Sequence, residues 1–198
     1  MSKYRDIRIC FVGDSFVNGT GDETKLGWAG RLCAMSHTEV VDITYYNLGI
    51  RRNTSSDIRK RWEYECSSRL IPDAENIIIF SFGVNDTVIE NNELRVTKLD
   101  SIDNVRSILL ESSKKYIVKM IGPTPIDDEE QNVRIKNLDN AFLKVCNELS
   151  IPYLSVFEKL ESESVWVKEV SSNDGAHPRS SGYAILANIV KKWSQWEL

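Results

Sequence analysis

Residues 77–82 read Ile-Ile-Ile-Phe-Ser-Phe, five apolar side chains and a single hydroxyl. A strand with one wet face alternates apolar and polar residues, so an almost continuous apolar run is expected where both faces are covered. That is the condition of a central strand in a parallel sheet with helices packed on either side. Upstream, residues 7–12 predict a first strand that turns at Gly13-Asp14. Trp28, Leu32 and Met35 recur at helical spacing within residues 27–36, and residues 44–48 predict a short second strand. Thr54-Ser55-Ser56-Asp57 has the form of a capping box, in which Thr54 caps and Asp57 bonds back, ahead of a helix striped by Ile58, Trp62 and Cys66. Downstream, Ile102, Val105 and Leu109 mark a helix, and residues 116–121 a fourth strand. A long helix follows on Val133, Leu138, Phe142, Val145 and Leu149, then a short fifth strand at 152–156, then a last helix on Tyr183, Leu186, Val190 and Trp193. Strands alternating with helices call for parallel pairing through right-handed crossovers. The expected fold is a three-layer α/β/α sandwich around a mostly parallel five-stranded sheet, flavodoxin-like in plan.

The 198 residues suit one domain, since two would each have a thin core. A composition of 41% hydrophobic and 27% charged residues argues against disorder and low complexity. With 29 acidic against 25 basic side chains the net charge is −4, which removes the electrostatic case for nucleic acid or an anionic membrane as partner. No apolar run approaches the roughly 20 residues that span a bilayer, and the opening MSKYRDIRICFVGD runs into charge instead of a signal-like apolar segment. Cys10, Cys33, Cys66 and Cys146 are far apart in apolar stretches, so buried thiols in a reducing, cytoplasmic compartment are expected.

Functional residues in such sheets gather beyond the carboxyl ends of the strands. There the chain places Gly13-Asp14-Ser15-Phe16, Asn47-Leu48-Gly49-Ile50, Gly83-Val84-Asn85-Asp86 and, before the last helix, Asp174-Gly175-Ala176-His177-Pro178. Taken together, in this order from Gly13 to Pro178, these four blocks resemble the SGNH (GDSL) hydrolases, a family of esterases and lipases. The first block departs from the family pattern at Phe16, where the motif has leucine. The resemblance implies a serine hydrolase acting on a small-molecule ester, with Ser15 as nucleophile, His177 as base and Asp174 orienting it. It implies an oxyanion hole built from the Ser15 and Gly49 backbone N–H groups and the Asn85 amide. Short-chain and acetyl esters, thioesters and lysophospholipids all lie within what it implies.

The residues also support this chemistry directly. A serine hydroxyl needs a base to take its proton as it attacks, and imidazole titrates in the right range. Two histidines are present. His37 follows the first helix, towards the amino ends of the strands; His177 lies on a loop with an acid three residues earlier, within reach of Nδ1. Gly49 lets its N–H approach an oxyanion closely, and Asn85 supplies a neutral donor.

Each block also has a plainer explanation. Gly-Asp-Ser after a strand is often only a turn, Asn85-Asp86 a helix cap or Asx-turn, and Asp174 to His177 a surface turn. Asp14 is expected to hold its loop by hydrogen bonds, and Trp28, Trp62 and Trp193 to lie in the core. A non-catalytic small-molecule binding module on the same fold is the alternative. No metal is expected, because Asp14, Asn85, Asp174 and His177 make a poor transition-metal set. No cofactor is expected either, since GDSFVNG lacks the glycine spacing of a dinucleotide turn. Residues 87–98 and 158–173, the latter carrying Val165, Trp166 and Val167, are expected to wall the acyl pocket or to pack as an extra core element. The absence of a long apolar insertion favours small soluble esters over aggregated lipid.

Overall fold

The structure, a computed structural model, describes residues 4–197. Five strands form one sheet: β1 (Arg5–Gly13), β2 (Val41–Gly49), β3 (Glu75–Ser81), β6 (Ile117–Ile121) and β7 (Tyr153–Leu154). Their spatial order is β2-β1-β3-β6-β7, and every pairing is parallel. β4 (Ile89–Glu90) and β5 (Glu93–Leu94) make a separate antiparallel hairpin. Its turn residues, Asn91 and Asn92, have φ of 53° and 65°, the left-handed values that a tight two-residue hairpin turn demands. Among the described residues the other elements are the helices α1 (Ser15–Asn18), α2 (Gly27–Ser36), α3 (Ser55–Ser67), α4 (Lys98–Ser112), α5 (Glu129–Glu148), α6 (Phe157–Glu161), α7 (Ser164–Ser172) and α8 (Ser180–Lys191), with a short 3₁₀ turn at Asn85–Thr87.

The run at 77–82 behaves as its composition requires. Ile77 and Ile79 face a core shared with Ile9, Phe11, Trp28, Trp166 and Tyr183. Ile78 and Phe80 face the opposite core, with Cys10, Val12, Ile58, Trp62, Val105 and Phe142. Alternate side chains of β3 thus enter different helical layers, and each fully buried isoleucine contributes about 1.5–3 kcal/mol of burial. The capping box at α3 forms: Thr54 N–H donates to Asp57 Oδ2 at 2.9 Å, and Asp57 N–H donates to Thr54 Oγ1 at 3.4 Å.

Several boundaries differ from the sequence expectation. β2 begins at Val41 and not near residue 44, because β1 offers it a continuous register from Arg5↔Val41 to Gly13↔Gly49. The fifth strand shrinks to Tyr153–Leu154, pairing only with Met120 and Ile121 at the sheet edge. α8 ends at Lys191, so Trp193 sits beyond the helix and is half-buried against the core. Val133, assigned to the buried stripe of α5, is exposed; Ile135 fills the core there instead. All four cysteines are free and buried. Among the described residues, no helix is long and apolar enough to cross a membrane.

Candidate active site

The strand order reverses between β1 and β3, and ligands of doubly wound sheets bind in the crevice at that point. Gly13 is in register with Gly49 on one side and with Ser81 on the other, so the segments that follow these three strands emerge side by side. Directly after β1, Ser15 opens the single turn of α1. Asp14 caps that turn by accepting the Phe16 N–H at 2.9 Å, and Ser15 is only 5% exposed. The approach of α1 to β2 requires a glycine at position 49, since a Cβ there would overlap the backbone N of Asn18. Asn47 ties the two segments together by donating its amide to the Val17 carbonyl at 2.8 Å.

His177 reaches the same place from the loop before α8. Its Nε2 lies 2.7 Å from Ser15 Oγ, across 162 positions of sequence, and its Nδ1 lies 2.8 Å from Asp174 Oδ2. The other carboxylate oxygen of Asp174 accepts the backbone N–H groups of Ala176 at 3.0 Å and His177 at 2.8 Å. Burial pushes the Asp174 carboxyl up, but these N–H groups and the imidazole outweigh it and leave its pKa below the ordinary value. An ionised carboxylate can only accept, so Nδ1 carries the proton and Nε2 is left to accept from the serine hydroxyl. Asn173 secures the loop by donating to the His177 carbonyl at 2.9 Å. His37, in contrast, is mostly exposed at the far end of the sheet, 3.9 Å from Asp42.

Both remaining donors named from the sequence converge on this crevice, each already partnered. Gly49 N–H donates to Asn47 Oδ1 at 3.0 Å. The Asn85 amide donates to the Asn53 carbonyl at 3.1 Å and reaches Asp14 Oδ2 at 3.4 Å. Burial pushes the Asp14 carboxyl up to about 7, against the Phe16 N–H that holds it down, with nearby Asp86 adding to the rise. Asp14 thus serves the loop by hydrogen bonding, as its turn position implied. Asp86 lies deeper, accepting the Ser55 N–H at 2.7 Å and the Ser101 hydroxyl at 2.8 Å.

Three supports escaped the sequence reading. The loop between α1 and α2 is pinned by fully buried Asp22, which accepts the Gly27 N–H at 2.8 Å and closes an ion pair with Arg31. Tyr183 donates its hydroxyl to the Thr20 carbonyl at 2.7 Å, holding that loop from α8. Arg61 reaches from α3 to the Gly13 carbonyl at 2.8 Å and the Asn53 side chain at 2.7 Å. Only the Asp22-x-Thr24 pattern, typical of an Asx-turn, carried any local signal. Trp166, offered as a pocket wall, is buried in the core, donating its Nε1–H to the Pro125 carbonyl at 3.1 Å, while Val165 and Val167 remain exposed. Residues 87–98 hold the β4–β5 hairpin, with Ile89 and Leu94 exposed on it.

Comparison with known proteins agrees with this architecture. The model of the GDSL-like Lipase/Acylhydrolase family matches residues 11–185. YpmR, an uncharacterized protein of Bacillus subtilis (strain 168), is 23% identical over 207 residues, covering 93% of this chain and 80% of its own. A lipase/acylhydrolase from Enterococcus faecalis has the same fold, with a TM-score of 0.75 at 21% identity over 93% of each chain. An acetylxylan esterase from Geobacillus stearothermophilus, in the structure of a catalytic mutant, gives 0.76 at 16% identity over 100% of both chains. The chain belongs to the GDSL-like lipase/acylhydrolase family and is an ester-hydrolysing enzyme.

Proposed function

We propose that this chain is a serine esterase that cleaves acetyl or other short acyl esters of small molecules through an acyl-enzyme. The observation that carries this is the unbroken hydrogen-bonded chain from Asp174 Oδ2 through both nitrogens of His177 to Ser15 Oγ, at 2.8 and 2.7 Å. Ser15 Oγ attacks the ester carbonyl as Nε2 takes its proton, and ionised Asp174 stabilises the imidazolium that forms. The tetrahedral oxyanion is received by the N–H groups of Ser15 and Gly49 and by the Asn85 amide. Gly49 turns to it from its resting acceptor, Asn47 Oδ1, and Asn85 from the Asn53 carbonyl and Asp14 Oδ2. Collapse breaks the C–O bond to the leaving alkoxide, and the His177 imidazolium gives it a proton to release the alcohol. Water, deprotonated by the same nitrogen, then hydrolyses the acyl-enzyme and frees Ser15. Support for a small acyl group comes from residues 158–173, which pack Trp166 and Val170 into the core and leave no long apolar flap. The acetylxylan esterase of the same fold fits this reading. Four buried free thiols fit a cytoplasmic setting, and the net charge of −4 fits a small-molecule partner better than nucleic acid.

The test is hydrolysis of p-nitrophenyl acetate by the wild type, Ser15→Ala and His177→Ala. Each substitution is expected to lower turnover by a factor on the order of 10⁴–10⁶. Unchanged turnover in both variants would sink the proposal. A fluorophosphonate probe should label the wild type and spare Ser15→Ala; an unlabelled wild type would point to the binding module instead.

A further inference from the structure

We infer that this site prefers esters whose leaving alcohol carries a negative charge, received by Lys25 and Arg51; the inference rests on the esterase reading above. A cavity of about 320 Å³ is lined by Asn18, Gly19, Thr20, Gly21, Lys25 and Arg51. It adjoins the Ser15–His177 pair from two directions. The Gly19 and Thr20 N–H groups both donate to the Ser15 carbonyl, at 3.1 and 3.0 Å. Gly21 packs so closely that a Cβ there would come within 3.2 Å of His177 Cβ. His177 is the group that protonates the departing alkoxide, and this neighbouring cavity is the proposed seat of the alcohol portion.

Among the described residues, no carboxylate lines the cavity. The carboxylates nearest in sequence to Lys25 are already engaged: Asp22 by Arg31, and Glu23 by the Ser180 N–H at 3.2 Å and hydroxyl at 2.6 Å. Glu90, across the crevice, is held by Arg52 at 2.7 Å and Arg95 at 3.7 Å. Among the described residues, Lys25 and Arg51 form no ion pair. Two uncommitted cations therefore face a cavity beside the nucleophile in a chain of net charge −4. Their backbone is held in place as well. Lys25 has φ of 62° in a turn closed by its own N–H on the Asp22 carbonyl at 3.2 Å. Arg51 lies in the turn closed by Asn53 N–H on the Ile50 carbonyl at 3.2 Å, where Arg52 takes φ of 66°. Left-handed non-glycine residues persist only where their surroundings fix them. The Arg51 guanidinium offers a planar fork that suits a carboxylate or a phosphate, and Lys25 adds a point charge.

Three matched aryl acetates test this: 4-acetoxybenzoate and 4-acetoxyphenyl phosphate, both anionic, against neutral methyl 4-acetoxybenzoate. At low ionic strength the wild type is expected to favour at least one anion by about tenfold in kcat/KM, mostly through KM. The better of the two identifies the anion class. The Lys25→Gln/Arg51→Gln double variant should bring the ratio to about one, and salt should erode it in the wild type without any substitution. Equal kcat/KM for all three esters in the wild type would overturn this inference alone. So would a ratio that survives the double substitution. Failure to cleave any of the three would overturn the esterase reading and this inference together.

Discussion

The rings of Phe16 and His177 lie against each other, their centroids 4.9 Å apart and their planes inclined by 37°. Trp166 stacks behind Phe16 at 6.5 Å, fixed in turn by the Pro125 carbonyl. The side chain that follows Ser15 therefore braces the His177 imidazole, and a leucine at this position would reach less of the ring. Phe16→Leu should cost about 1 kcal/mol of stability and lower kcat several-fold with KM little changed. Phe16→Ala should cost about 3–5 kcal/mol and lower kcat further. Urea unfolding beside Michaelis kinetics checks both; wild-type kcat in Phe16→Ala would remove the bracing role.

Asp174 holds His177 by two separate means, its Oδ2 on Nδ1 and its Oδ1 on two backbone N–H groups. Asp174→Asn can keep the backbone bonds while losing the ionised acceptor that fixes the imidazole tautomer. Turnover should fall by a factor on the order of 10³–10⁴, with the neutral-pH urea midpoint lowered only by the share of stability that the ionised carboxylate supplies. The sign of the pH effect follows from a folded-state pKa below the ordinary carboxyl value. The stabilisation is present above the unfolded pKa and is lost as pH falls through the folded one, so Asp174 adds no acid limb to kcat/KM near neutrality. A loss of folding in Asp174→Asn would show that the carboxylate is chiefly structural.

The parts of this molecule that could be read from the sequence are those where one local pattern carried the information. The double-faced run at 77–82, the Thr54–Asp57 box and the polar clusters after each strand all express constraints within a few residues. Strand ends could not be read that way. Val41 to Ile43 joins β2 only because β1 extends to meet it, and β7 is short because its chain runs alongside β6 only at Met120 and Ile121. In the site, Ser15, Asp174 and His177 were visible as residue types in order. The partners of Gly49 and Asn85 were not, since Asn53 reaches Asn85 through a backbone carbonyl, which any residue type would supply. Trp166 showed the same limit: an apolar cluster in a charged segment does not say whether it faces a substrate or Phe16.

Asp14 makes stability fall with rising pH. Its carboxyl is pushed up to about 7 in the folded chain by burial, against roughly 4 when unfolded. Between these values the folded state holds a proton that the unfolded state has released, so raising pH through this window favours unfolding. Asp14→Asn keeps an oxygen for the Phe16 N–H and removes the titration. The variant should gain stability on the wild type by a few kcal/mol between about pH 4 and pH 8. Asp86, also raised by burial, adds its repulsion to the Asp14 rise, so the gap includes the part of that repulsion which Asp14→Asn removes. Urea midpoints at the two pH values decide the matter; a constant gap would place the Asp14 carboxyl back in its ordinary range.

Asp22 acts in the opposite sense and at the other end of the pH scale. Burial raises its carboxyl, but Arg31, the Thr24 N–H and hydroxyl, and the Gly27 N–H together bring it down to about 2. The stability it contributes is present above pH 4 and is lost as pH falls from about 4 to about 2. Asp22→Asn should therefore be less stable than the wild type at neutral pH, and the gap should close across that acid window. Asp22→Ala leaves the nearly buried Arg31 and two backbone donors without their acceptor, at a cost of about 3–5 kcal/mol. The same loop carries Gly21 against His177 and presents Lys25 to the cavity, so kcat should fall along with stability. A gap between wild type and Asp22→Asn that stays constant down to pH 2 would show that the pin does not depend on an ionised carboxylate.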